Sequence, residues 1–379
     1  MCSMVFLVNL ARVVFSPLLE PLKISFGVTD ATIGLLATLV WLGSALPRIP
    51  VGYALTKVPR HHVVLVSGGI LTVSAAFSAV AQNIEVLMGG AFALGVSSGA
   101  YFIAANPLVS ELFPERVGKA LGTHGMSSQL AAVSAAPVVG AVLFLGSWRL
   151  AFGVLASVGA LATVIFFVIA YRTELPAAGA GDRDFVNAAR EQWRIILVGV
   201  TIIGITGFVW NGVFNFYITY MITSKSVSQP AAQGLLTVLF AAGVPAFFVT
   251  GNLADRIPNI PLVFVICGLF VCCLLALTAT TGYLSLLIIS AVLGYVIHGM
   301  FPAIDTFLLS SFPDENRASA YAIYSGSMMI VQASGSSVLG YLISTGHPFN
   351  DVFYAFSGLI VAVLAVFVFV YLTGRFPIE

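Results

Sequence analysis

Charge is what this sequence has least of. Asp, Glu, Lys and Arg make up 8% of its 379 residues, about a third of the share in a soluble domain. Hydrophobic residues make up 59%, and the mean hydropathy is +1.03. So much apolar surface does not fit inside one water-soluble core, and the bilayer is therefore the solvent. The net charge of +1 gives no basic field for a nucleic-acid partner. Cysteine is scarce too. Cys2, Cys267, Cys272 and Cys273 have no His or acid at ligand spacing, so they read as small apolar fillers rather than a zinc site. Also missing are a phosphate-binding Gly-rich loop with Lys and Ser/Thr, a His-Glu-x-x-His and a Gly-x-Ser-x-Gly. Nothing here predicts an enzyme, a cofactor or ATP hydrolysis, so any work comes from a gradient of solute or ion.

What the chain does have is long apolar runs. A spanning helix needs about 20 mainly apolar residues, and twelve such runs are predicted: 2–22, 31–56, 63–82, 86–109, 119–145, 150–171, 195–221, 231–253, 260–280, 284–310, 319–343 and 352–373. The first, "MCSMVFLVNLARVVF", lacks the basic n-region and cleavage site of a signal peptide and reads as span 1. The fold class is thus an all-α polytopic membrane protein with twelve transmembrane helices. The longest polar stretch separates spans 6 and 7, giving a half at 1–171, a linker at 172–194 and a half at 195–379. Within the linker, "DFVNAAREQW" predicts a short amphipathic helix on the membrane surface. Lys57, Arg60, Arg116, Lys119, Arg172, Arg183, Arg190, Arg194, Arg256, Arg317 and Arg375 fall on one side, against Lys23, Arg149 and Lys225 on the other. The positive-inside rule puts both termini in the cytoplasm and the protein in the cell membrane.

The chain repeats itself at about 200 residues. "GYALTKVPR" (Gly52 to Arg60) returns as "GNLADRIPN" (Gly251 to Asn259), and "FPERVGKALG" at Phe113 returns as "FPDENRASAYA" at Phe312. Matching positions share a side of the membrane, so the halves read as parallel copies, a common plan in transporters with a site near the midplane. On these residues the chain resembles the major facilitator superfamily along its whole length. The doubled phrase is similar to that family's cytoplasmic loop signature: Gly251, Asp255 and Arg256 match it in one copy, Gly52, Lys57 and Arg60 in the other. Thr56 stands where the first copy would carry its acid. "AAPVVGA" (Ala135 to Ala141) resembles a weakened form of the fifth-helix signature associated with antiporters, and "SWRLAF" resembles the start of helix 6. The helix-4 arginine of many proton-coupled members, expected near Ala91, is absent. The resemblance implies a secondary transporter working by alternating access, with the doubled phrase as a lopsided charged latch. Asp255 would be its acid, and Lys57 or Arg60 its bases. Ordinary positive-inside anchoring explains the bases equally well.

Several polar residues interrupt the spans. Asn9, Arg12 and Ser16 lie at i, i+3 and i+7 in span 1, followed by Pro17 as a kink. An Arg at that depth costs roughly 2.5 kcal/mol or more unless it faces protein or water. It suits a carboxylate or phosphate of a substrate, or a structural pairing with an acid of another helix. In span 7, Asn211 and Asn215 share a face near Trp210, Phe214 and Tyr217, the lining of a pocket for an organic ligand or ordinary helix–helix hydrogen bonding. In span 10, His298 and Asp305 stand two turns apart as candidates for carrying a proton or countering a cationic substrate. Their bland alternatives are a satisfied core histidine and an acid held by Arg12 or Arg48. Gln129, Tyr101, Asn106 and Gln332 are weaker interruptions, and Arg48 is left to snorkel. "GVSSGA" and "ASGSSVLG" predict close helix packing.

The site assignment is therefore Arg12, Asn9, Trp210, Asn211, Asn215 and Tyr217 for substrate, and Asp305 with His298 for proton coupling. Gly52, Lys57, Arg60, Gly251, Asp255 and Arg256 are assigned to the gate. The expected partners are a small-molecule substrate, H+ or another ion, and the bilayer, with no nucleic acid and a monomer as the working unit. Uptake or exchange of a small organic anion leads. Proton-linked efflux of amphipathic or cationic compounds is the alternative, and a non-transporting sensor or lipid-handling protein is the reading from another class.

Overall fold

The computed structural model of the protein describes residues 1–173, 175, 184–254, 256–313 and 317–376. Its contacts divide the chain into two units, Met1–Arg183 and Asp184–Glu379. The first unit is built from α1 (Cys2–Val13), α2 (Phe15–Phe26), α3 (Asp30–Ala45), α4 (Arg48–Ala54), α5 (Arg60–Ala79), α6 (Ile84–Leu112), α7 (Val117–Phe144) and α8 (Arg149–Arg172). The second holds α9 (Phe185–Asn215), α10 (Tyr217–Thr223), α11 (Gln229–Ala254), α12 (Asn259–Ala279), α13 (Tyr283–Ser311), α14 (Arg317–Ser344) and α15 (Phe349–Leu372).

Proline sets two of the breaks. Pro17 has no N–H for the carbonyl of Val13 and its ring crowds that carbonyl. The helix accordingly breaks a turn earlier than the proline itself, and α1 and α2 differ in direction by 40°. Pro47 stands at the second break itself, between the end of α3 at Ala45 and the start of α4, which it caps. Among the described residues ten helices are long and apolar enough to cross a membrane, or eleven with α1 and α2 taken as one bent span. The eleventh predicted span, 319–343, is α14, which has 28 residues but falls short in apolarity. Ser325, Ser327, Gln332, Ser334, Ser336 and Ser337 break its run. The surface helix predicted at "DFVNAAREQW" is not separate. Asp184 caps Asn187 N–H at 2.8 Å, and from Phe185 the helix runs on without a break as α9. Residues 185–194, expected in the linker, are thus its first turns.

The two units use their helices alike. In the first, α1 packs on α7, α3 on α6, and α5 on α6 and α8. In the second, α9 packs on α14, α11 on α13, and α12 on α13 and α15. The prolines of the doubled phrase, Pro59 and Pro258, occupy matching positions as the caps that start α5 and α12. Gly146 and Gly346, each just past a long helix, both turn left-handed at φ +100° and +92°. In each case the next residue closes a Schellman bond, Ser147 N–H to Val142 O and His347 N–H to Leu342 O.

The small-residue runs do bring backbones together. A Cβ on Gly95 of α6 would strike the Val40 carbonyl of α3, and one on Gly335 of α14 would strike the Phe208 carbonyl of α9. The three basic residues predicted on the opposite side also have structural partners. Lys23 pairs with Asp30 at 2.7 Å. Arg149 donates to Ala81 O at 2.8 Å, just past α5. Lys225 donates to Thr278 O and Thr280 O at 2.7 and 2.9 Å, at the end of α12. Cations there offset the partial negative charge of a helix C-terminus. Burial holds the Lys225 ammonium below the usual lysine pKa.

Candidate functional site

Arg12 is the penultimate residue of α1, in the turn that the break leaves with open carbonyls. That end of a helix carries partial negative charge and tolerates a cation. Two rings complete its surroundings: the guanidinium carbon lies 4.4 Å from the centroid of Trp41 and 5.3 Å from that of Phe102. Nη2 donates to Asn9 Oδ1 at 2.6 Å and Nη1 to Ser44 Oγ at 3.4 Å. Asn9 is held in turn, because its Nδ2 donates to Ser128 O on α7 at 2.7 Å. Among the described residues no carboxylate forms an ion pair with Arg12. Its compensation comes from ring faces, an amide, a hydroxyl and a helix end. Ser16, predicted on the same stripe, lies beyond the break in α2.

The second unit gathers its predicted residues into two clusters. Asn211, Asn215 and Ser336 form a buried knot between α9 and α14. Ser336 Oγ donates to Asn211 Oδ1 at 2.7 Å, and Asn215 Nδ2 reaches Ser336 Oγ at 3.0 Å and Asn211 Oδ1 at 3.2 Å. Asn211 is 0% exposed and Asn215 3%. Asn211 Oδ1 and Asn215 Nδ2 help tie α9 to α14, while the buried Asn211 Nδ2 has no hydrogen-bond partner among the described residues. Tyr217, also buried, bonds Ser290 on α13. The other cluster is aromatic. His298, 5% exposed, has ring centroids of Phe240 at 5.6 Å, Trp210 at 5.7 Å, and Phe247 and Phe301 both at 6.3 Å. Its Nδ1 lies 2.7 Å from the carbonyl of Gly294. A carbonyl only accepts, so Nδ1 carries a proton and Nε2 is the nitrogen left to exchange one. Asp305, two turns along α13, accepts a hydrogen bond from Tyr321 of α14 at 2.8 Å.

Each described gate residue has its own surroundings within its unit. Gly52 is buried in α4. Lys57 is exposed with its ammonium 5.0 Å over Tyr53. Arg60 pairs with Glu111, at the end of α6, at 2.8 Å. Gly251 lies in α11, where an added Cβ would meet no neighbour within 4 Å, so no close helix approach depends on it. Arg256 is exposed, and Asp255 lies outside the described residues. Of the weaker interruptions, Tyr101 bonds His124 at 3.1 Å, and Gln332 packs on Gly207, whose added Cβ would stand 3.2 Å away. Trp41, Phe102, Phe240 and Tyr321 were missed by the sequence reading. Aromatics within apolar runs carry no signal until folding shows which of them surround a charge.

Comparison with known proteins fits this architecture. The family model described as Major Facilitator Superfamily matches residues 1–295. A probable sugar efflux transporter of Helicobacter acinonychis is 26% identical over 98% of this chain and 93% of its own. A purine ribonucleoside efflux pump of Escherichia coli is 25% identical over 61% of this chain and 57% of its own. Among solved structures, a D-xylose–proton symporter superposes with a TM-score of 0.80 at 13% identity, covering 96% of this chain and 94% of the other, and shows the shared fold. By its multi-pass helical fold and the family match over most of its length, the chain belongs to the Major Facilitator Superfamily of secondary transporters.

Proposed function

We propose that the protein moves a small organic anion by alternating access, with the carboxylate or phosphate of the substrate held by Arg12. The observation that carries this is a guanidinium in the span-1 region stacked on Trp41 and Phe102, with no carboxylate partner among the described residues. An acid already paired to Arg12 would have to be displaced by an incoming anion, whereas ring faces leave free the in-plane N–H groups not given to Asn9 and Ser44, Nε among them. Twelve spans in two parallel six-helix repeats, at 1–171 and 195–379, are the proposed machinery. The matching helix pairs, proline caps and left-handed glycines support it. In this reading both termini are cytoplasmic, the protein sits in the cell membrane and a monomer suffices.

His298 and Asp305 are the proposed proton-coupling pair, supported by the protonated Nδ1 of one and the Tyr321 hydrogen bond of the other. For substrate contact Asn9 acts through Arg12, and Trp210 through the rings around His298. Asn211, Asn215 and Tyr217 contribute by fixing helix geometry. Lys57 is the base we assign to the gate with Asp255, since Arg60 already pairs with Glu111.

The names of the relatives favour a second reading, export of a neutral sugar- or nucleoside-like solute. Flux into proteoliposomes separates the two. Organic anions, sugars and nucleosides are supplied to wild type and Arg12→Gln, with and without a proton gradient. The proposal expects anion flux that falls at least tenfold in Arg12→Gln. Sugar or nucleoside flux that survives the substitution would establish the second reading, and binding without flux for every ligand would sink the transporter reading.

A further inference from the structure

The first unit contains a cavity of about 320 Å³ that the transport reading does not use. Its walls are the first turn of α1, the last turn of α6 and the start of α7, with Val109, Phe113 and Ala120 as apolar lining and His124 at one side. Arg116 and Lys119, both exposed, also line it. Neither forms an ion pair among the described residues. Of the nearby acids, Glu111 is held by Arg60 at 2.8 Å, and the exposed Glu115 pairs with neither cation. The Phe113 ring is 54% exposed, which leaves an apolar surface running out from the cavity.

Two uncommitted cations beside an apolar recess, on a loop that the charge distribution puts at the cytoplasmic face, describe the chemistry of one kind of occupant. The volume is near the lower end of small-molecule pockets, ~300 Å³, enough for a phosphate-bearing headgroup but not for two acyl chains. The chains would leave along Phe113. We propose that this cavity is a binding site for an anionic phospholipid, its phosphate gripped by Arg116 and Lys119 and its upper chains laid against Phe113 and Val109. Basic recesses between transmembrane helices on the cytoplasmic side are suited to such headgroups, each cation being worth about a fivefold change in affinity. A zwitterionic lipid would gain less, because its own cation opposes the pair.

The test is native mass spectrometry of the purified full chain in detergent, titrated with dioctanoyl phosphatidylglycerol, dioctanoyl phosphatidylcholine or glycerol 3-phosphate. Wild type is compared with Arg116→Ala/Lys119→Ala, with Ala120→Trp, which fills the cavity without changing charge, and with Arg172→Ala as a distant basic control. Size-exclusion profiles establish that each variant is folded. The expected result is phosphatidylglycerol binding that weakens about 25-fold in the double variant, is lost in Ala120→Trp and is unchanged in Arg172→Ala. Glycerol 3-phosphate should bind far more weakly, because it lacks the chains. Phosphatidylglycerol binding that survives Ala120→Trp would overturn the cavity assignment. An equal loss in Arg172→Ala would reduce the effect to general surface charge, and glycerol 3-phosphate binding as tight as the lipid would make the site one for free phosphates.

Discussion

Replacing Trp41 with Leu should weaken the hold on Arg12 without touching its hydrogen bonds. The ring centroid lies 4.4 Å from the guanidinium carbon, and both side chains are half-buried. Cation–π pairs run from about 0.5–1 kcal/mol when exposed to about 2 when desolvated, so this pair should contribute about 1–1.5 kcal/mol. The single variant also loses the packing of a large ring, and its total cost mixes the two effects. A double-mutant cycle with Arg12→Met separates them, since the packing loss appears in both arms and cancels. The assay is unfolding by SDS in mixed micelles, followed by loss of helical circular dichroism, for wild type, each single variant and the double. A coupling energy of about 1 kcal/mol or more is expected, with Trp41→Phe retaining roughly half. Coupling within about 0.3 kcal/mol of zero, the usual error of additivity, would refute the ring as the counterweight to Arg12 and with it the main support for a cation held without a carboxylate.

Two further outcomes are expected from the packing. Gly335→Ala should cost about 1–3 kcal/mol by overpacking against the Phe208 carbonyl. Gly251→Ala, where nothing stands near an added Cβ, should instead stabilise α11 by about 0.5–1 kcal/mol; thermal melts of the two variants moving in the same direction would contradict this. Ser336→Ala removes one partner each from Asn211 Oδ1 and Asn215 Nδ2, which still bond one another at 3.2 Å, so the cost should be that of an ordinary hydrogen bond, about 0.5–1.5 kcal/mol. A melting temperature unchanged in Ser336→Ala while flux falls would show that the knot serves the substrate rather than the helices.

Spans and punctuation were legible in the sequence because each depends on neighbours in the chain. Ten helices with the length and apolarity of a membrane span coincide with predicted runs, since the bilayer demands about 20 apolar residues whatever they pack against. Pro59 and Pro258 start matching helices because a proline has no N–H to give an earlier turn. Arg12 stood out because an isolated charge in an apolar run is costly anywhere in that run.

Other features depended on partners far along the chain. The break after Arg12 follows locally from Pro17, but the rings that flank the guanidinium come from α3 and α6, roughly 30 and 90 residues on. Asn211 and Asn215 read equally well as pocket lining or helix contacts until Ser336, over 120 residues away, placed a hydroxyl between them. α14 looked like a spanning run, yet its serines and Gly335 serve its contact with α9. The sequence by itself determined the solvent, the helices and the presence of a cation within an apolar run, because hydropathy, proline and charge act on the residues that carry them. Only the tertiary structure decided which polar groups satisfy one another and which cation faces aromatic rings, because those energies exist only between side chains that folding brings within a few ångströms.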